Sequence, residues 1–222
     1  MSNQTGIGEK LKSYLKHPGS FIVMLLVMLG AIITFAVLLF LIAYILINGV
    51  PHIKPALINT IIMTLLSLLI AVPFGIFSAI FLVEYAGKGN KFVEVIRLTT
   101  ETLSGIPSIV YGLFGMLFFV KTLGWGFSLL AGAFTLAIMI LPLIMRTTEE
   151  ALKAVPDSFR EGSFGLGAGK LRTVFKIVLP SAIPGILAGI ILAVGRIVGE
   201  TAALIYTAGT VAQVPTNVFG SG

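Results

Sequence analysis

Two residues place formal charge inside an otherwise apolar run that extends from about Ala182 to Tyr206: Arg196 and Glu200. They are four apart, so a helix would put them on one face and within reach of each other. Arg196 sits about 14 residues into the run, roughly 21 Å along a helix axis at 1.5 Å per residue. An ionised arginine there is costly, so it must face a partner or a water-filled path. Its planar fork suits tetrahedral oxyanions. Two readings stay open: Arg196 guides an anion, with Glu200 holding it or competing with the anion, or the pair stitches two helices together. Thr201 and Thr207 would add hydroxyl donors. Arg146 closes another apolar run, where it would anchor at an interface and complement a helix C-terminus.

What the sequence lacks narrows the chemistry further. The chain has no cysteine, so no disulfide, iron–sulfur cluster or thiolate metal site can form within it. His17 and His52 are far apart, and no metal site is expected. There is no Ser/His/Asp set to mark a hydrolase. The stretch Gly165-Leu166-Gly167-Ala168-Gly169-Lys170 is glycine-rich. It lacks the G-x-x-x-x-G-K-[ST] spacing and follows no strand, so the chain does not bind ATP by that route. No enzyme activity is expected of this chain.

The longest polar stretch between apolar runs, Thr147–Leu179, carries helix signals rather than linker composition. Ser158-Phe159-Arg160-Glu161 has capping-box spacing, in which Ser158 would accept from the Glu161 N–H and Glu161 would reach back. Pro156 blocks the preceding helix from running on. Gly165, Gly167 and Gly169 permit a turn. A second short helix, Lys170–Val178, is expected to stop before Pro180. The spacing predicts a compact, exposed helix–turn–helix suited to docking on a partner protein.

These residues need elements to hold them. Of 222 residues, 57% are hydrophobic and 11% charged, whereas a soluble domain needs roughly 25% charged residues. A chain whose surface faces lipid resolves the conflict. A membrane helix needs about 20 apolar residues. Phe21–Ile47 supplies 27 uncharged residues, Ala56–Val83 supplies 28, Thr102–Val120 supplies 19, and Thr122–Met145 supplies 24. The expected spans are 21–47, 56–83, 102–120, 127–146 and 182–206. The first run is too long for a signal-peptide core and no A-x-A-like site follows, so it reads as a retained helix. Between the spans lie a partly amphipathic segment, 84–101, and the loop 147–181. Pro107 fits the first turn of the third span.

The net charge of +6 falls mostly in short loops, so it reads as topology and not as nucleic-acid binding. With the N-terminal segment 1–20 cytoplasmic, 11 of the 15 basic residues lie inside. The fifth span then leads to an external C-terminal segment, 207–222. The odd helix count and polar ending suggest a truncated chain. Trp125 and Tyr44 read as interfacial aromatics, and Gly112, Gly115, Gly132 and Gly189 as close-packing positions.

The run Glu161-Gly162-Ser163-x3-Gly167-x9-Ile177-x-Leu179-Pro180 resembles the E-A-A-x3-G-x9-I-x-L-P loop of binding-protein-dependent ABC importer permeases, with Gly162 and Ser163 in place of two alanines. The resemblance implies an all-α, polytopic bundle of the type I (MetI-like) kind, one permease domain at about 56–222, with the family's sixth helix absent. It implies that Glu161, Gly162, Ser163, Gly167, Ile177, Leu179 and Pro180 form an element that inserts into an ATP-binding subunit. From Ala56 to Phe219 the chain further resembles the phosphate-specific permease subunits, the PstA type more than its PstC partner. The matching text is Gly105-Ile106-Pro107-Ser108-Ile109-Val110-Tyr111-Gly112-Leu113-Phe114, Glu150 to Ser163, and Gly199-Glu200-Thr201-Ala202. The first outer loop, Asn48–Leu57, is shorter than is usual in that family.

That resemblance implies a phosphate importer in a bacterial or archaeal inner membrane. Its partners would be a second, PstC-like permease, two ATP-binding subunits that hold ATP and Mg, and an external phosphate-binding protein. It also places Arg196, Glu200, Thr201 and Arg146 along the substrate path. The rivals are the same machine with another cargo (molybdate, sulfate or an amino acid), a channel or carrier not driven by ATP, and a non-transporting membrane scaffold.

Overall fold

The computed structural model describes residues 18–49, 53–86, 90–209 and Gly220. Among them every regular element is helical. His17, His52, residues 1–17 of the N-terminal segment and most of 207–222 lie outside the described residues. The chain divides into two compact units, Met1–Ile53 and Lys54–Gly222. The first contributes α1 (Pro18–Gly49), which is apolar all round, with Leu26, Ile33, Phe40 and Ile47 exposed. A helix hydrophobic on every face requires an apolar surrounding.

The second unit begins with α2 (Ile53–Tyr85), whose last turn, Phe81–Tyr85, widens to π geometry. Then come α3 (Lys91–Ser104), α4 (Ser108–Thr122), α5 (Leu129–Lys153), α6 (Asp157–Gly165), α7 (Lys170–Val198) and the short α8 (Ala202–Ile205). Local chemistry sets the starts. The Asn90 carboxamide accepts from the Phe92 N–H at 3.0 Å and opens α3. The Ser128 hydroxyl accepts from the Ala131 N–H at 3.2 Å and opens α5, removing one orphan donor from each helix end.

Helix α5 is the centre of the unit. It packs most extensively on α7, and also on α3 and α4. Leu136, Met139, Ile140 and Ile144 of α5 are fully buried, against Met63 and Ala71 of α2, Tyr111 of α4, and Ala193 and Ile197 of α7. A second cluster fills the opposite end of α5: Ala79 and Ile80 of α2, Leu152 and Val155, and Val174, Val178, Ala182 and Ile186 of α7. Ser67 adds a polar tie between α2 and α5. The Ser67 hydroxyl lies 2.7 Å from the Met63 carbonyl and 3.1 Å from that of Ala133.

Several boundaries differ from expectation. The expected third span, 102–120, straddles two helices. Helix α3 is amphipathic and meets α4 at a bend of 100° across Gly105-Ile106-Pro107, and Pro107 caps α4 from outside with ψ 140°. The expected fourth span continues two turns past Arg146, to Lys153. The expected fifth span begins earlier and ends sooner, at Lys170 and Val198, because Gly199 ends the helix. Pro180 does not stop α7. The turn Val174–Val178 is π-wound, with the Leu179 N–H donating to the Val174 carbonyl. One fewer N–H is then required where proline has none to give.

Candidate functional site

Helices α6 and the start of α7 form an elbow. Helix α6 ends at Gly165, and two residues on Gly167 has φ +81°, a left-handed conformation that glycine adopts without strain. The Ala168 N–H donates to the Ser163 carbonyl at 3.1 Å and the Gly167 N–H to that of Phe164 at 2.9 Å. This is the paired bonding of a Schellman cap. The two arms are joined by the buried hydroxyls of Ser163 and Thr173, 2.8 Å apart. The expected capping box is not formed. Pro156 already supplies the extended residue before α6, so Ser158 falls inside the first turn and no side chain caps it. Glu161 and Gly162 are exposed beside Phe159, Phe164, Leu166 and Leu171. Leu166, at the tip, is 91% exposed. Exposed apolar patches of this kind are found where a protein or membrane surface is met. Ile177 and Leu179 are half-buried in α7, Pro180 is exposed, and the Ile177 carbonyl accepts from the Ser181 hydroxyl at 2.7 Å.

The residue that fastens the elbow is Arg160, which sequence reasoning missed. Its Nε and Nη2 donate to Glu84 Oε1 at 3.1 and 2.7 Å. Nη1 donates to the Val155 carbonyl at 2.8 Å and to Asp157 at 3.1 Å, and Nη2 also donates to the Leu152 carbonyl at 2.9 Å. One guanidinium thus joins the last turn of α2, the C-terminal carbonyls of α5 and the first turn of α6. Beside it, Lys170 stands over the Tyr85 ring, 5.2 Å from the centroid. Glu84 and Arg160 are 76 residues apart, and the one local signal was an acid placed immediately after an apolar run.

Arg196 occupies the last turn of α7, not the middle of a longer helix. Because the helix ends at Val198, Glu200 is off the helix and the expected pairing with Arg196 is not made. The Glu200 carboxylate instead accepts from the Ala203 N–H at 3.0 Å and caps α8. Arg196 has no hydrogen bond or ion pair among the described residues, and acts electrostatically on Tyr111. It lines an open apolar groove of about 560 Å³ with Leu143, Ala188, Ile191, Leu192 and Gly195. Thr201 is exposed, whereas Thr207 is buried and its hydroxyl is spent on the Ala203 carbonyl at 2.9 Å.

Arg146 does not join Arg196. It lines a separate depression of about 190 Å³ that also holds Arg97, Glu101, Glu149, Glu150 and Lys153. There Arg146 pairs with Glu150 at 3.1 Å, while Glu149 pairs with Arg97 at 2.7 Å and Lys153 at 2.6 Å. The glycines expected at close contacts are found there. An added Cβ at Gly112 would lie 2.8 Å from the Ala203 backbone, and at Gly115, Gly132 and Gly189 it would meet Thr135, Met63 and Thr147.

Four described helices are long and apolar enough to cross a membrane, or five if the bent pair α3–α4 is one span. A bundle of such helices with an elbow between two of them is the architecture of a multi-pass membrane protein. The chain belongs to the family described as binding-protein-dependent transport system inner membrane component, which residues 71–220 match. It is 40% identical over 199 residues to the probable ABC transporter permease protein YqgI of Bacillus subtilis, covering 82% of this chain and 67% of that protein. To the phosphate transport system permease protein PstA 1 of Mycobacterium tuberculosis (strain H37Rv) it is 40% identical over 172 residues, covering 78% and 54%. To PstA of Mycobacterium leprae it is 38% identical, covering 78% and 55%. The chain therefore spans about two thirds of the first relative and just over half of the other two. In fold it is similar to the inward-facing MetNI methionine ABC transporter, with TM-score 0.55 at 23% identity, covering 68% of this chain and 69% of that one.

Proposed function

We propose that the chain is a transmembrane permease subunit of an ATP-driven importer of inorganic phosphate. The observation that carries the reading is the elbow: the Glu161–Pro180 pattern of importer permeases folded as a rigid, apolar-tipped projection between two spans. The phosphate assignment draws on relatives about 40% identical that are named phosphate transport permeases. Arg196 supports it, since a guanidinium with no carboxylate partner among the described residues can receive an oxyanion. In this reading the N-terminus and the elbow are cytoplasmic, in a bacterial or archaeal inner membrane. ATP-binding subunits, which carry ATP and Mg, grip Glu161, Gly162 and the exposed Leu166. A second, PstC-like permease completes the path along Arg196, Glu200, Thr201 and Arg146, and an external binding protein delivers the anion.

The test is reconstitution of the complex in vesicles with labelled phosphate. Uptake should require ATP and the phosphate-binding protein. Arg196→Ala should lower uptake about 10-fold or more, as expected when one charge-assisted contact is lost. Preference for molybdate, sulfate or an amino acid defeats the phosphate assignment, and uptake without any ATPase defeats the importer.

A further inference from the structure

We propose that the last turn of α2, through the adjacent residues Glu84 and Tyr85, is a clamp that passes the elbow's movement to α2. The inference deepens the importer reading and rests on it. The chain itself connects the elbow to α5 and α7 only, because α6 follows α5 and leads into α7. Helix α2 is remote in sequence, yet each arm of the elbow is fastened to it. Arg160 of the first arm grips Glu84 at 2.7 Å, and Lys170 of the second arm covers Tyr85. The Arg160–Glu84 pair is largely shielded, with side chains 15% and 9% exposed, so it is less screened than a surface pair. It is reinforced by carbonyls at the end of α5, which leaves the guanidinium little freedom to swing away. Below it, Ala79 and Ile80 of α2 are buried with Val174 and Val178 of α7. Because the arms are also tied to each other by Ser163 and Thr173, displacing the elbow displaces the end of α2 with it. Glu84 and Tyr85 are positioning residues and touch neither nucleotide nor anion.

The test uses the reconstituted complex with Glu84→Ala and Tyr85→Leu combined. ATPase subunits should still co-purify and basal ATP hydrolysis should persist, while phosphate taken up per ATP hydrolysed falls about 10-fold, in the range of typical coupling energies. Glu84→Gln with Tyr85→Phe keeps an acceptor and a ring, and should restore most of that ratio. The chain has no cysteine, so spin labels at Phe77→Cys and Arg172→Cys report α2 against the elbow directly. Their distance should stay constant between nucleotide-free and ATP-trapped complexes, and shift or broaden in the Glu84→Ala, Tyr85→Leu background. A nucleotide-dependent distance in the chain bearing only the labels overturns the clamp. So does an unaltered phosphate-to-ATP ratio in the double variant. If the unmutated chain retains no ATPase, the importer reading fails. The clamp is then read from hydrogen exchange of the Asp157–Gly165 amides in lipid nanodiscs. Faster exchange in the double variant sustains it, and unchanged exchange removes it.

Discussion

At the scale of single residues, two glycines of the elbow look alike in the sequence and differ in the structure. Gly167 holds φ +81° with open space around it, so an alanine there meets strain and no clash. Gly167→Ala should cost about 1–2 kcal/mol for the left-handed conformation and speed hydrogen exchange at Gly167 and Ala168. Gly162 sits inside α6, also in open space. Gly162→Ala should stabilise α6 by up to about 1 kcal/mol, because alanine loses less backbone freedom in a helix. Exchange at the α6 amides should slow. Equal effects from the two substitutions would contradict the cap geometry. The spacing of Glu161, Gly167 and Pro180 was legible, since a motif is local. The mate of Arg160 was not, because a contact across 76 residues leaves no trace in periodicity. Nor was the release of Arg196 from Glu200. The i,i+4 rule holds only while the helix lasts, and Gly199 ended it.

At the scale of elements, the apolar runs located the long helices, while their ends were decided by tertiary contacts. The break between α3 and α4 was hidden because Thr102–Val120 is uncharged throughout, and hydropathy does not register a bend. What holds α4 in place is close backbone approach: Gly112 faces Ala203 of α8, and Gly115 faces Thr135 and Thr207. Gly112→Ala should destabilise the bundle by about 1–3 kcal/mol, since its Cβ would press on main chain that cannot rotate aside. Thermal unfolding in detergent should show a lowered midpoint, whereas Gly195→Ala, inside α7 with no atom within 4 Å, should not lower it and should raise it slightly. At the far end of α4, Phe119, Trp125 and Phe134 form a ring cluster with centroids 5.3–5.6 Å apart. Trp125, expected at an interface, stacks on Phe119 and meets Phe134 edge-on.

At the scale of the whole molecule, α5 is the axis of the second unit. Its 25 residues place the Leu123–Ser128 turn and the elbow about 38 Å apart at 1.5 Å per residue, enough to cross the hydrocarbon core. The basic-residue asymmetry predicts which end faces the cytoplasm. An impermeant thiol reagent on sealed, right-side-out vesicles should label Leu123→Cys and spare Arg172→Cys until the membrane is opened. The opposite pattern would reverse the topology and separate the elbow from any cytoplasmic motor. The long apolar helices were legible from hydropathy because lipid acts on every residue of a run alike. The mutual fastening of α2, α5, α6 and α7 was not, because it depends on individual side chains meeting in space.

The wide turn at Val174–Val178 holds one residue more than a regular helix would, and this has a bearing on length changes in the gene. A deletion between Pro184 and Gly195 would rotate Arg196 by about 100° around its axis, away from its groove. Removing Phe175 together with Pro180→Ala would instead convert the wide turn to an ordinary one, and Arg196 would keep its heading. Helix α7 therefore has a place where, once Pro180 is replaced, a lost codon leaves its far end in register.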